Sequence, residues 1–491
     1  MNTHQLPPGR RGRCISQAMT CLAAALLGAC AMPPAPPRTL SLDTPTAWQA
    51  PLPHKGSVAG LSQWWQQQGD ALLVELIDAA QAASPTVVTA LAGIEQARAT
   101  RALSAASLGP KLDATADASR SRQQPMGAVA AAPSSLTQAG LQASWEIDLF
   151  GRNGASRDAA QERLDGARAQ WHEARVSVAA EVARLYYSFR SCSRQVEVSE
   201  GDARSRAETA RLSALASKAG FEAPATAALA RASAAESRAR ATQQRALCDI
   251  DIKALVALTA RNEPALRQQL AQAASPAMAF RQNQAGVPGV PAQVLAQRPD
   301  VYNAAREVAA ASFEVAGAQA LRYPRLSLAG NITTGRIRSG GVSQGFDTWS
   351  IGPLALSLPL FDGGSSRASL DSARARYDDA AGKYGGVARQ AVREVEEALV
   401  NLQSTADRTG DAATAADGYR ASFAGTEARY RAGLASLVEL EDSRRTLLAA
   451  QSALVSLELE RTNAWISLYR ALGGGWSSDA PQAALPAPIQ P

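Results

Sequence analysis

From Leu136 to Arg152 the chain alternates with a period of two. Thr137, Ala139, Leu141, Ala143, Trp145, Ile147 and Leu149 fall on one side, and Gln138, Gly140, Gln142, Ser144, Glu146 and Asp148 on the other. Successive side chains of a strand point to opposite faces, so this pattern predicts a strand at about 136–149 with one apolar and one polar wall. The period changes after Gly151. From Asn153 to Ala219 there is no proline, and Ala160, Leu164, Ala167, Trp171, Ala174, Val178, Val182, Leu185, Phe189, Cys192 and Val196 recur mostly at steps of four and three. That is the coiled-coil period with one stutter. A helix over 153–219 would be roughly 100 Å long at its usual rise. Gly220 breaks it, and a second helical pattern returns over about 222–260.

A weaker strand precedes this pair. Leu112, Ala114, Ala116 and Ala118 alternate with Asp113, Thr115, Asp117 and Ser119, predicting a strand at about 111–122. Helices are expected at about 71–83 and from Pro85, a first-turn position suited to proline, to about Ser107. Gln123–Ser135 is rich in Pro, Ala and Gly and reads as a loop. The plan then repeats. Pro85 and Pro110 stand as far apart as Pro299 and Pro324, Lys111-Leu112 answers to Arg325-Leu326, Phe150-Gly151 to Phe361-Asp362-Gly363, and Gly220 to Gly433. Strands are expected at about 325–338 and 349–360, the latter with Leu354, Leu356, Leu358 and Leu360 on one wall. Helices follow at about 365–432 and 434–472, and Ser339–Phe346 reads as a second loop. Two copies offset by about 213 residues are hard to obtain by chance. The expected organisation is a leader at 1–29, a Pro-rich tether at 30–60, a first repeat at 61–263, a connector at 264–291, a second repeat at 292–475 and a tail at 476–491.

Composition narrows the class. Aromatic residues make up only 5% of the 491 residues, which suits long, closely packed helices rather than a bulky centre. The N-terminus has a secretory pattern: Arg10, Arg11 and Arg13 precede a short apolar run at Ala18–Leu27, too short to span a bilayer. Leu27-Gly28-Ala29-Cys30 resembles a bacterial lipobox, implying cleavage before Cys30 and covalent attachment of diacylglycerol and an N-acyl chain there. Ala31, rather than Asp, after the cysteine favours the outer membrane. Removing three arginines with the leader lowers the net charge from +6 to +3, too balanced to argue for nucleic acid. Cys14 and Cys21 leave with the leader, so Cys192 and Cys248 remain as thiols. They lie equally far from Gly220 on either side, so an antiparallel hairpin turning there sets them at equal height. Both fall on stripes suited to facing the partner helix, and a disulfide is expected between them, with two buried free thiols as the alternative.

No later segment has 18 consecutive apolar residues, so any membrane crossing of the mature chain must be by a closed β-barrel. Four strands of this length match a tilted bilayer crossing but are too few to close a barrel. Several chains must therefore contribute strands to one barrel, with the helices packed laterally beside it. Its lipid wall would carry Leu141, Trp145, Ile147, Leu354, Leu356 and Leu358, with Trp145 and Trp349 as interface anchors. A soluble sheet packed on the helices is the competing reading.

Several separated motifs agree in order with one family. Val290-Pro291-Ala292-Gln293-Val294-Leu295-Ala296-Gln297-Arg298-Pro299-Asp300-Val301, Tyr323-Pro324-Arg325-Leu326-Ser327-Leu328, Leu358-Pro359-Leu360-Phe361-Asp362-Gly363-Gly364 and Tyr430-Arg431-Ala432-Gly433 with Leu437-Val438-Glu439-Leu440-Glu441-Asp442 resemble the TolC-like outer-membrane efflux proteins. Within these, they are most similar to the NodT-type lipoproteins that serve RND pumps. The resemblance spans essentially the whole mature chain. It implies a mainly α protein with a transmembrane β portion on a duplicated α-α-β-β-α-α plan: a homotrimer with four strands per chain in a twelve-stranded barrel, continued by a periplasmic helical barrel. It implies as partners a periplasmic adaptor, an inner-membrane RND pump and outer-membrane lipid. It also implies a periplasmic gate at the second hairpin, where Glu439 and Asp442 match the acidic ring and Tyr430 the contacts that hold the mouth shut. A solvated acidic helix face would equally account for Glu439, Glu441 and Asp442. Leu229 stands where Asp442 would fall in the first copy, so one hairpin per chain is expected to line the mouth.

No catalytic constellation, metal-ligand spacing or phosphate loop is visible, and neither an enzyme nor a cofactor is expected. The reading is a passive exit duct of a tripartite pump. Type I protein secretion and a lipid-anchored coiled-coil scaffold are the alternatives; a scaffold has no use for two-faced strands of bilayer length.

Overall fold

The computed structural model describes residues 32–41, 48–50, 64–122, 133–273, 295 and 297–476. The leader with Cys30, most of the first predicted loop, much of the connector and the tail lie outside the described residues. In chain order the elements are α1 (Trp64–Gln67), α2 (Ala71–Ala83), α3 (Pro85–Ala106), β1 (Lys111–Ser121), β2 (Ser134–Ile147), α4 (Arg152–Lys218), α5 (Pro224–Thr259), α6 (Glu263–Gln272), α7 (Pro299–Ala320), β3 (Arg325–Ser339), β4 (Val342–Ser357), α8 (Ser365–Arg431) and α9 (Leu437–Ala471). The two longest helices, α4 and α8, hold 67 residues each and occupy corresponding places in the two repeats.

The described residues form two compact units. One gathers the segment up to Leu40 with Glu95–Asp165 and Ala305–Lys383; the other gathers Ser41–Ile94, Gly166–Ala304 and Tyr384–Pro491. Each unit draws on both repeats.

The first unit holds the sheet. Its four strands run antiparallel in the order β1-β2-β3-β4. Register decides its faces, because directly paired residues share a side. Leu141 pairs with Ala114 and Ile332, Trp145 with Leu328, Ile332 with Trp349, and Leu328 with Leu354. One wall therefore collects Leu112, Leu141, Trp145, Leu328, Ile332, Trp349, Ile351, Leu354 and Leu356, and most of these are exposed. An apolar wall left open to this extent is unlike the covered face of a soluble sheet. Trp145 also donates from its indole to the Leu108 carbonyl at 2.9 Å, tying the wall to the end of α3. Asp148 accepts from the Gly154 amide at 2.7 Å, and Asp362 from the Gly364 and Ser366 amides at 2.9 and 2.8 Å. The same acidic cap thus opens both long helices, where free amides need an acceptor. In the same unit Arg163 of α4 bridges Glu307 and Glu314 of α7. Part of the tether is also placed here: Ser312 and Tyr377 donate to the Pro36 and Pro37 carbonyls at 2.6 and 2.8 Å, and Arg38 lies over the Phe313 ring.

Three expectations change. The β4 strand begins at Val342, not Trp349, so Ser339–Phe346 is no loop; Gly340 and Gly341, both at positive φ, make a two-residue turn. It also ends at Ser357, so Leu358 lies just past the ladder. A bulge between the Leu328 and Gly330 pairings gives β4 one extra residue, which puts Trp349 and Ile351 on the same wall as Leu354 and Leu356 despite their opposite parity. Lastly, the start of the predicted connector is helix α6: Asn262 caps it through the Ala265 amide, and Pro264 sits in its first turn rather than breaking it.

The second unit packs helix on helix. Trp64 packs at a tilt against Trp465 and Tyr469, and Trp65 meets Tyr469 edge to face. Asp70 caps α2 and accepts from the buried Tyr186 hydroxyl at 2.6 Å; Arg190 donates to that hydroxyl at 2.8 Å. Arg298 of the joining motif is buried against Asp300 and Glu394 and donates to the Ala471 carbonyl. Cys192 of α4 and Cys248 of α5 are joined by a disulfide with Cα atoms 5.5 Å apart, closer than helices usually approach.

Candidate functional site

The second unit ends in two helical turns built alike. Gly220 and Gly433 adopt φ of 75° and 74°, a left-handed conformation that costs glycine little. After each, an amide reaches back five residues: Phe221 to the Ala216 carbonyl at 2.9 Å, Leu434 to that of Arg429 at 2.8 Å. The returns differ. Helix α5 restarts on Pro224 without a side-chain cap, whereas α9 opens on a capping box. There the Ser436 amide donates to Glu439 at 2.7 Å and the Glu439 amide to the Ser436 hydroxyl at 3.2 Å. These bonds hold the Glu439 carboxyl below its ordinary range.

The residues singled out from sequence separate here. Tyr430 is half-buried on a cluster of Ala210, Ala230, Ala234, Leu437 and Leu440, beside Phe423, so it packs the second turn onto the first hairpin. Burial, then the nearby Glu222 charge, raises its hydroxyl pKa. Asp442 is exposed and pairs with Arg445 at 2.7 Å. Glu439 and Asp442 thus both face solvent within one chain, with Glu439 engaged in the turn's own geometry.

Glu441, between these two acids in sequence, instead turns into the seam between the hairpins, its side chain only 16% exposed. Glu441 accepts from Arg206 of α4 and Arg444 of α9, and from the Ser233 hydroxyl of α5 at 2.8 Å. Asp202 receives the Arg206 guanidinium at 2.9 and 3.0 Å and Arg240 at 3.5 Å. Arg444 donates to Ser205 and Thr209 at 3.1 and 3.0 Å and lies 5.4 Å from the Phe423 ring centre. Its burial lowers its pKa, an effect the Glu441 carboxylate opposes. Three helices therefore meet on one ion-pair network, α4 and α5 of the first hairpin and α9 of the second, and α8 adds the Phe423 ring against Arg444. A signal was available: the stripe through Val196, continued by threes and fours, lands on Ala203, Arg206 and Ala210. Leu437, Leu440 and Arg444 form the matching stripe on α9. A charge set on a packing seam asks for a buried partner.

Among the described residues no cluster of three or more His, Cys, Asp or Glu could hold a metal ion, and no single helix is long and apolar enough to cross a membrane. In the sheet, β1 pairs only with β2 and β4 only with β3 among the described residues, so both outer edges carry unpaired backbone.

The sequence profile of the outer membrane efflux proteins matches residues 76–261 and 290–474, one stretch in each repeat. The outer membrane protein OprJ of Pseudomonas aeruginosa is 30% identical over 93% of this chain and 95% of its own length. The pyoverdine export outer membrane protein OpmQ of the same organism is 29% identical over 92% and 96%. Among solved structures, the outer-membrane channel OprN superposes with a TM-score of 0.79 at 27% identity, covering 89% of this chain and 99% of that one. The outer membrane protein VceC of Vibrio cholerae gives 0.74 at 26%, covering 85% and 99%. With its profile matched in both repeats and its relatives matched end to end, the chain belongs to the outer membrane efflux protein family, the outer-membrane channels of tripartite efflux pumps.

Proposed function

We propose that three copies of this chain close one twelve-stranded barrel, and that the resulting duct is passive. The observation that carries this reading is the sheet: four antiparallel strands, an apolar wall open along its length, and an unpaired edge on each side. Unpaired backbone in hydrocarbon costs several kcal/mol per group, so β4 of one copy must meet β1 of the next. Acylation of Cys30 would anchor each chain in the same membrane. An inner-membrane RND pump supplies the energy and a periplasmic adaptor docks on the hairpin tips; the chain itself performs no chemistry and needs no cofactor or nucleic acid. Relatives named for pyoverdine, solvent and toluene export favour small molecules as cargo, which a water-filled duct need not recognise.

The gate belongs to the second hairpin. Tyr430 and the Glu441–Arg444–Arg206–Asp202 network hold it against the first, while Glu439 and Asp442 present three-fold rings of carboxylate at the mouth. Such rings attract cations and repel one another. Purified protein in planar bilayers should conduct, with cation preference reduced and conductance enlarged by Glu439→Ala with Asp442→Ala. Absence of any channel, or cross-links between β1 and β4 cysteines that close dimers instead of trimers, overturns the proposal.

A further inference from the structure

The apolar wall of the sheet changes character at one end. All flanking helices join the strands at the end bearing Lys111, Ile147, Arg325 and Ser357; the hairpin ends, at Ser121, Ser134, Ser339 and Val342, lie opposite. With the helices in the periplasm, the hairpin end faces outward from the cell. The register aligns Arg120 with Ser135, Ser135 with Arg338, and Arg338 with Ser343; one row inward, Thr137 aligns with Arg336. All of these stand on the wall that carries Leu141, Trp145 and Leu354. Arg122 follows the last ladder residue of β1. The two Arg-x-Arg pairs, 120/122 and 336/338, match the period of a strand, which brings both members of each pair to the same face.

The position along the wall is informative. Ten residues of β3 separate Leu328 from Arg338, which at about 3.3 Å per residue and a tilt near 40° is about 25 Å of height, the thickness of the apolar band of such barrels. The arginines therefore sit where hydrocarbon gives way to headgroups, and Arg336 reaches that level by extending its stem. Strand spacing sets Arg120 and Arg338 about 10 Å apart with the Ser135 hydroxyl between them, a span two guanidinium groups can bridge over one phosphate. All four arginines are exposed, and Arg120, Arg336 and Arg338 have no acidic partner among the described residues. The acids of β1, Asp113 and Asp117, lie on the other wall; Asp347 is the one acid on this wall near the rim, paired with Thr334 below Arg336. The guanidinium groups of Arg120, Arg336 and Arg338, without an acidic partner and facing lipid, are costly unless an anion meets them.

We propose that this rim is a binding site for the phosphate groups of a phosphorylated glycolipid in the outer leaflet, one site on each copy of the chain. It rests on the reading that this wall faces lipid. The outward wall then has two grips, Trp145 with its indole tied at the inner interface and arginine–phosphate pairs at the outer one, which fix the barrel's height in the membrane.

The test uses full-length protein in phosphatidylcholine nanodiscs with or without lipid A, read by native mass spectrometry and thermal unfolding. Wild type should retain lipid A and unfold several degrees higher with it; Arg120→Gln/Arg122→Gln/Arg336→Gln/Arg338→Gln should lower retention at least tenfold, and the all-Lys variant should recover part of it. Where the fourfold variant does not insert, Arg120→Gln/Arg122→Gln and Arg336→Gln/Arg338→Gln are compared separately. Equal retention by wild type and variants, equal retention of dephosphorylated lipid A, or displacement by inorganic phosphate overturns the inference. Conductance in bilayers free of glycolipid separates the two readings: wild type that conducts but retains no lipid A sinks this inference alone, whereas wild type that never conducts removes the barrel beneath it.

Discussion

Glu441→Gln is the substitution that weighs most on the contact between hairpins. It keeps the shape and one acceptor but removes the charge facing both Arg206 and Arg444. Arg206 retains Asp202 at 2.9 Å, while Arg444 is left with the hydroxyls of Ser205 and Thr209. Removing one partner of a buried pair costs about 3–5 kcal/mol, and the retained acceptor places this case near the lower figure, about 3 kcal/mol. That is roughly a hundredfold shift toward parted hairpins, at 1.4 kcal/mol for each factor of ten. Single-channel recording should show a much larger open fraction, and the thermal transition should fall. Glu439→Gln is the control: it is acidic and only two residues away, but exposed and bonded within its own turn, so its effect should be far smaller. In a double-mutant cycle, Arg206→Gln and Glu441→Gln should be clearly less than additive. Equal leakiness and stability of the two glutamate variants would refute the view that the buried network ties the hairpins together.

Three further outcomes are expected. Cys192→Ser with Cys248→Ser releases a loop of sequence separation 56, which the chain-entropy estimate values at about 4 kcal/mol; denaturant unfolding under non-reducing conditions measures it, and an unchanged midpoint would show the bridge to be dispensable. Gly433→Ala forces a left-handed alanine at φ 74°, so α8 and α9 should lose about 1–2 kcal/mol, with Gly433→Asn milder; identical melting of all three would remove strain from the account of the turn. His172 is held to a pKa of about 4 by burial and then by Arg175, so the folded state resists a proton that the unfolded chain takes up near pH 6.5. Its contribution is complete above pH 6.5 and is lost as pH falls toward 4; His172→Gln should flatten stability across that window, and a slope equal to wild type would locate the pH dependence elsewhere.

How much of this was legible beforehand depends on the signal each element carries. β2 was readable because its alternation runs unbroken from Leu136 to Leu149, and α4 because its stripe runs for most of its length without a proline. The first half of β4 was not, since Val342 to Asp347 offers glycine and polar residues on both faces, and its bulge reverses parity midway. Helix α6 was hidden by Pro264, which breaks a helix in its interior but opens one in its first turn. Among the site residues, Tyr430 is found against the first hairpin, and the Cys192–Cys248 bridge joins the helices whose equal spacing from Gly220 pointed to it. Glu441 escaped because its neighbours Glu439 and Asp442 suggested one continuous solvated face. Local acidity could not show that one of the three carboxylates turns inward while two turn out; only Arg206, far away in sequence, decides that.

The unpaired margins of β1 and β4 also have a genetic consequence. In the proposed trimer every copy must offer two sound margins, so a chain damaged along one margin spoils any assembly it enters. With equal amounts of sound and damaged chains assorting at random, only about one assembly in eight would escape. Such lesions would be dominant, while lesions confined to soluble helical surfaces would be masked by the wild-type copy.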